Sequence, residues 1–294
     1  RSSDLVLHFS WYKTCFQNKK IMIMRKFLLT ISIATAVLSG CQTNPLTGRS
    51  QLALVPKADI ENMAQQQYRQ FLSESRIVSS SASKDAEMVQ RVGSRIAKAV
   101  PSLYAEMGAS SQLPDYKWEF NLVDSKEINA WCMPGGKVVV YTGLLPVAQN
   151  EAALAVVMGH EIMHALGDHG RERMSQGLVQ QLGGVALAVA ISNKPAETQN
   201  LFMNAYGVGS QIGIMLPFSR RDEFEADHYG LFLAAMAGYN PQEAVPFWQR
   251  MGNLSGGQKP PEFLSTHPSD ASRIAEIQKL MPQALKYYKP IQRQ

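Results

Sequence analysis

Cysteine is scarce. The 294 residues hold three, Cys15, Cys41 and Cys132. The first two fall in or at the end of a leader-like segment, which leaves Cys132 alone. No intrachain disulfide can then staple the remainder, and the fold must rest on a hydrophobic core. A surplus of one charge is missing as well. Across the whole chain 29 Lys and Arg stand against 24 Asp and Glu. The excess lies within residues 1–40, where Arg1, Lys13, Lys19, Lys20, Arg25 and Lys26 face only Asp4. The rest is neutral, which removes the electrostatic footprint of a nucleic-acid binder. Long apolar runs are absent too. Phe27 to Leu38 is too short to span a bilayer, and Leu178 to Ile191, broken by Gln180, Gln181, Gly183 and Gly184, reads as a buried or amphipathic helix. No internal repeat is present. A content of 45% apolar and 18% charged residues excludes a disordered chain and suits one globular domain.

What is present begins with a basic pair, Arg25 and Lys26, ahead of the apolar run, which closes on Leu38-Ser39-Gly40-Cys41. This order of charge, short apolar core and small residue before Cys resembles a bacterial lipoprotein signal. It makes Cys41 the expected lipid attachment site, with Gln42 after it favouring the outer membrane. The expected location is therefore the outer membrane, anchored by lipid and facing the periplasm. Met22 or Met24 sits where such a signal starts, and residues before them stay outside the fold reading. The chain divides into a leader over 1–40, a lipidated tether over 41–50 and a single domain over 51–294.

Periodicity predicts helices over 58–76, 85–100, 151–166, 199–216, 220–237, 241–251 and 269–280. Strands are expected over 116–123, where apolar and polar residues alternate, and over 137–142, a β-branched run after Pro134-Gly135-Gly136.

The chemistry concentrates in the Ala-rich helix 151–166, which carries His160-Glu161-Ile162-Met163-His164. Histidines four apart lie about 40° apart around a helix, so both imidazoles can meet one tetrahedral zinc while Glu161 points at a water beside it. The flanks Val156, Val157, Ala165 and Leu166 are apolar, and burying two histidines and a carboxylate there is costly without a metal or hydrogen bonds. A catalytic zinc needs a third protein ligand. His169 is one residue short of the spacing of a third histidine in the HExxHxxGxxH pattern, where Gly170 stands instead. Cys132 lacks the flanks of a deformylase motif. Glu223 is the leading choice, because Asp227, four residues on, shares its helix face and can fix the tautomer of a zinc histidine. Glu225 falls on the opposite side and reads as solvated.

These motifs do not stand alone. His169-Gly170-Arg171-Glu172-Arg173, the segment Ser219 to Asp227, Asn129-Ala130 with Pro134-Gly135-Gly136, and Ser265-Thr266-His267-Pro268 together resemble the Ste-type and HtpX-type zinc endopeptidases. The likeness runs over roughly residues 45–282 and is to their periplasmic lipoprotein branch, since the membrane helices of the HtpX-type enzymes are missing. The resemblance implies an α+β fold, a mainly helical zincin-type domain whose small sheet lends an edge strand to the active-site cleft. Val138, Val139 and Val140 are expected to form that strand. It implies one zinc per chain on His160, His164 and Glu223, with Glu161 as general base and Asp227 behind the histidines. His267 is expected either to close the metal as an inhibitory ligand or to assist catalysis. Expected partners are unfolded or misfolded polypeptides, drawn from misassembled envelope proteins, and the membrane through the lipid. The alternative is a periplasmic chaperone or assembly factor for outer-membrane proteins with little proteolysis; loss of Glu161 would mark it, and Glu161 is present.

Overall fold

The computed structural model describes residues 40–191, 218–254, 261–267 and 271–291, with the backbone alone over 184–191 and at 262. The leader, apart from Gly40, and the helix expected over 199–216 lie outside the described residues.

The chain opens with a small hairpin, β1 (Cys41–Thr43) antiparallel to β2 (Ser50–Leu52). Helix α1 (Lys57–Glu74) and strand β3 (Ile77–Val78) follow. Helix α2 (Lys84–Glu106) starts at Ser83, whose hydroxyl accepts the Ala86 N–H. It runs on through Pro101, beyond the expected end at 100, because Leu103 and Tyr104 bury against the core. Strands β4 (Glu119–Val123), β5 (Ala130–Met133) and β6 (Lys137–Tyr141) lead into a single turn at Leu145–Ala148. The rest is helical: α3 (Glu151–Leu166), α4 (His169–Ile191), α5 (Arg220–Met236), α6 (Ala244–Asn253), α7 (Glu262–Thr266) and α8 (Ala271–Tyr287). No helix among the described residues is long and apolar enough to cross a membrane.

The larger sheet has the order β3-β4-β6-β5, with β6 parallel to β4 and antiparallel to β5. Two expectations change here. All five residues of β6 are buried, because alternate side chains enter different layers. Val138 and Val140 join the main core, whereas Val139 and Tyr141 pack with Tyr68 and Phe71 of α1. An unbroken β-branched run is the mark of a strand covered on both faces, and Val138, Val139 and Val140 lie on an inner strand paired on both sides, the edges being β3 and β5. The segment expected as a tether is also folded. Leu46 is buried in the main core, Asn44 Nδ2 donates to Leu166 O at 3.0 Å and Gln51 Nε2 to Gly167 O at 2.6 Å, so the hairpin caps the C-terminus of α3.

Helix α3 is buried on every side from Ala153 to Leu166, as befits a helix without a polar face. Asn150 caps it, accepting the Ala153 N–H at 2.9 Å. Helix α5 starts in a capping box between Ser219 and Asp222. The two helices touch through backbone, where Gly159 faces Gly230. A Cβ on Gly159 would lie 2.6 Å from Gly230 O, and one on Gly230 would lie 2.8 Å from His160 N. Only glycine at both positions admits this approach. Gly230→Ala should therefore lower stability by about 1–3 kcal/mol through overpacking, despite the roughly 1 kcal/mol by which Ala outranks Gly in a helix. Thermal unfolding reads this directly, and a higher melting temperature would show that the helices do not meet as described.

Candidate metal centre

The approach of α3 and α5 sets two pairs of side chains facing each other. His160 and His164 project from one helix and Glu223 and Asp227 from the other, and all four are buried. His267, at the end of α7, completes the group, so that one donor atom from each of His160, His164, Glu223 and His267 lies within 4.8 Å of the others. His160 Nε2 and His164 Nε2 are 3.0 Å apart. Glu223 places Oε2 3.5 Å from His160 Nε2 and Oε1 3.4 Å from His164 Nε2. His267 Nδ1 is 3.3 Å from His160 Nε2 and 2.9 Å from Glu223 Oε1.

These separations fit a metal. Ligand atoms at tetrahedral corners about 2.0–2.1 Å from zinc are themselves about 3.3 Å apart. The nitrogen pair carries a second argument. His160 Nδ1 is engaged at 3.0 Å by Asp227 Oδ1 and His164 Nδ1 at 2.9 Å by His169 Nδ1. With the proton of each ring on Nδ1, the two Nε2 lone pairs face each other, an arrangement that a cation between them relieves. Charge balance agrees. Among the described residues Glu161, Glu223 and Asp227 meet one buried cation in this pocket, Arg273; a divalent ion supplies the missing positive charge.

Electrostatics sort the carboxylates into different roles. Burial pushes the Glu161 carboxyl up to about 7, against the pull of His267. Its Oε1 is buried without a hydrogen-bond partner. Glu223 experiences burial too, but Arg273 and His267 outweigh it and hold its carboxyl well below the usual range. Asp227 is likewise held low, burial being overcome by Arg273 and His160. Burial lowers both His160 and His164, which keeps imidazole neutral, as a ligand must be.

Two other candidates fall outside the cluster. Helix α3 stops at Leu166, Asp168 takes a left-handed φ of 55°, and α4 begins at His169. The His169 ring thus stands behind His164 and not beside its metal-facing nitrogen. Cys132 is on β5, partly buried, and burial raises its thiol well above the ordinary range. The expectation that Glu225 is solvated fails. Its side chain is 9% exposed, bonded by Arg49 Nε at 2.6 Å and placed 3.2 Å from His169 Nε2, and its carboxyl is lowered to about 2 as these neighbours, with Thr47, overcome its burial.

Sequence reasoning missed Arg273. Its guanidinium meets Glu223 Oε2 at 2.7 Å, bonds both oxygens of Asp227, and stacks 3.6 Å over the Trp248 ring. A signal existed: Arg273 precedes Ile277 by one turn on the buried face of α8, and a charge on an apolar face implies a buried partner. A cleft of about 470 Å³ opens onto the centre, with Met63 and Phe71 of α1 on one wall, Trp131 and Met133 of β5 on another, and Glu161 and His267 at its floor.

The comparisons with known proteins meet this geometry. The model of Peptidase family M48 matches residues 83–281. The mitochondrial Metalloendopeptidase OMA1 of Bos taurus is 34% identical over 255 residues, which is 83% of this chain and 47% of the relative. The Mitochondrial metalloendopeptidase OMA1 of Arabidopsis thaliana is 36% identical over 186 residues, 63% of this chain and 36% of the relative. The Beta-barrel assembly-enhancing protease of Escherichia coli is 32% identical over 169 residues, 54% of this chain and 33% of the relative. The chain thus spans half the length of these relatives or less. An outer-membrane location was expected from Cys41 and its surroundings. The relatives overturn it, since those aligned over the larger shares of the chain bear mitochondrial names. The likeness shown is to the family as a whole, and the comparisons single out no lipoprotein branch of it. A family match across the helices that carry HExxH and Glu223, joined to a donor set spaced for zinc, has one meaning: the chain belongs to peptidase family M48.

Proposed function

We propose that this chain is a zinc-dependent endopeptidase that cleaves unfolded or misassembled polypeptides. The observation that carries the reading is Glu161: a buried carboxyl, poised near neutrality, with an unpartnered oxygen beside a zinc-spaced donor set. His160 and His164 hold the metal through Nε2, and Glu223 through a carboxylate oxygen. Zinc, when bound, supplies a Lewis acid that acidifies a water and polarises the scissile carbonyl. Glu161 Oε1 takes the proton from the attacking water and hands it to the leaving amine; a base with a pKa near the working pH does both efficiently. Asp227 accepts the His160 Nδ1 proton and so leaves Nε2 free to bind metal. Arg273 holds Glu223 and Asp227 from behind.

Substrate binding falls to β5. Among the described residues it pairs with β6 on one side only, so its other edge can take a peptide as an added strand, with backbone hydrogen bonds giving sequence tolerance. The cleft walls Met63, Phe71, Trp131 and Met133 suit apolar side chains, which unfolded chains expose and folded ones bury. His267 reaches the donor cluster through Nδ1, and as a fourth ligand it would occupy the position that water and substrate need and so restrain the enzyme.

The full chain should bind about one zinc and cleave casein, with chelation abolishing cleavage. Glu161→Gln should keep its zinc and lose about 10² or more in turnover; normal turnover in this variant refutes the assigned base. His267→Ala should bind zinc and cleave faster than the wild type, because the blocking ligand is gone. A slower His267→Ala with unchanged zinc would instead assign this imidazole to the developing oxyanion.

A further inference from the structure

Behind the metal-facing atoms a hydrogen-bonded chain runs from His164 to the N-terminal hairpin. His164 Nδ1 lies 2.9 Å from His169 Nδ1. His169 Nε2 lies 3.2 Å from Glu225 Oε2, and the same oxygen accepts Arg49 Nε at 2.6 Å. Arg49 is the anchor. Its NH1 meets Glu172 Oε2 at 2.6 Å and its NH2 meets Asp222 Oδ1 at 2.9 Å, so one guanidinium from the hairpin ties α4 to α5. His169, Asp222 and Glu225 also have the spacing of a metal site, but the guanidinium bonds both of those carboxylates and already supplies a cation there.

Proton bookkeeping fixes the direction of the chain. A metal on His164 Nε2 leaves that ring its proton on Nδ1, and the atom facing it, His169 Nδ1, must accept. His169 then carries its own proton on Nε2 and donates it to Glu225 Oε2. With His169 neutral, each link is satisfied in one tautomer only, the one in which His164 offers a lone pair to the metal. With the proton shifted to His164 Nε2, both facing Nδ1 atoms can pair only if His169 turns its donor away from Glu225. The ring of His169 is also confined: it sits over Gly167, where a Cβ would come within 2.5 Å of its Nε2.

We propose that Arg49, Glu225 and His169 form a positioning relay that locks His164 in its metal-binding tautomer, so that docking of the N-terminal hairpin sets the metal affinity of the site. The relay rests on the reading of His164 as a zinc ligand and adds that residue 49, far from the cleft, controls it.

The test measures zinc affinity by competition with a chelator of known strength, on the full chain and on His169→Leu, His169→Asn, Arg49→Ala and the double variant Arg49→Ala/His169→Leu. His169→Leu removes the acceptor at similar bulk and should weaken zinc binding about 10- to 100-fold, the usual cost of losing a partner behind a metal histidine. His169→Asn places Oδ1 where the ring has Nδ1, so it should keep affinity within about threefold. Arg49→Ala alone should cost about tenfold, yet cost nothing more in the His169→Leu background, because residues in one network do not add. A His169→Asn as weak as His169→Leu, or losses that add, would overturn the relay and leave both residues with a structural role only. Two zinc ions per wild-type chain would overturn it as well, by making His169, Asp222 and Glu225 a second metal site. Failure of the wild type to bind zinc at all would bring down the metal reading itself, and the relay with it.

Discussion

The site depends on one contact without side chains, the crossing of α3 and α5 at Gly159 and Gly230. Helices packed through larger residues hold their axes about 8–10 Å apart. Here the absence of two methyl groups lets backbone meet backbone one residue away from His160. Glu223, Asp227 and Gly230 are spaced i, i+4 and i+7 along one face of α5, so the contact that closes the helices also aims both carboxylates at the imidazoles. The donor geometry is thus a product of main-chain packing, and the flexible parts of the side chains have little left to decide.

Around that crossing the protein does something expensive. It buries three carboxyls, three imidazoles and a guanidinium in a core that is otherwise aliphatic and aromatic. Isolated charges in such a place are strongly unfavourable, and each has an identifiable compensation. Asp227 and Glu223 share Arg273, which in turn lies flat on Trp248. Glu161 Oε1 is buried without a hydrogen bond, 3.5 Å from His267 Nε2 and out of reach of a bond to Arg273. The same burial that would penalise an idle carboxylate there gives it the basicity that its proposed part in proton transfer requires. Stability and reactivity are divided between neighbouring acids by the position of one guanidinium.

Legibility in the sequence followed distance along the chain. His160, Glu161 and His164 are visible because four-residue spacing is itself the geometry of a helix face, and Glu223 with Asp227 is visible for the same reason. Arg273 and Arg49 are not, since their partners are 46 and 176 residues away and nothing local marks the pairing beyond a charge on an apolar face. The sheet shows another limit. Period-two patterning detects strands but not their order, so the triple valine reads equally well as a rim strand, whereas pairing on both sides makes it an inner one. Ala-Trp-Cys-Met, which forms the real rim, has no strong strand pattern. The N-terminal region misled twice. Its polar composition suggested a tether where Asn44 and Gln51 cap a buried helix, and its Cys-centred motif pointed to a compartment that the relatives contradict.

The hairpin, the two central helices and α8 also fix when the candidate metal centre can form. The pair Arg273 and His160 spans 113 residues, and Arg49 with Glu225 spans 176. Contacts of such sequence separation form late, because loop closure must precede them. A chain still being synthesised has its HExxH helix long before it has Arg273, and in that interval Glu223 and Asp227 lack the cation that keeps them ionised in the core. The cluster therefore waits for α8, the element that carries Arg273, and a chain made only as far as α5 holds the HExxH helix and its acidic partners without the guanidinium that binds them.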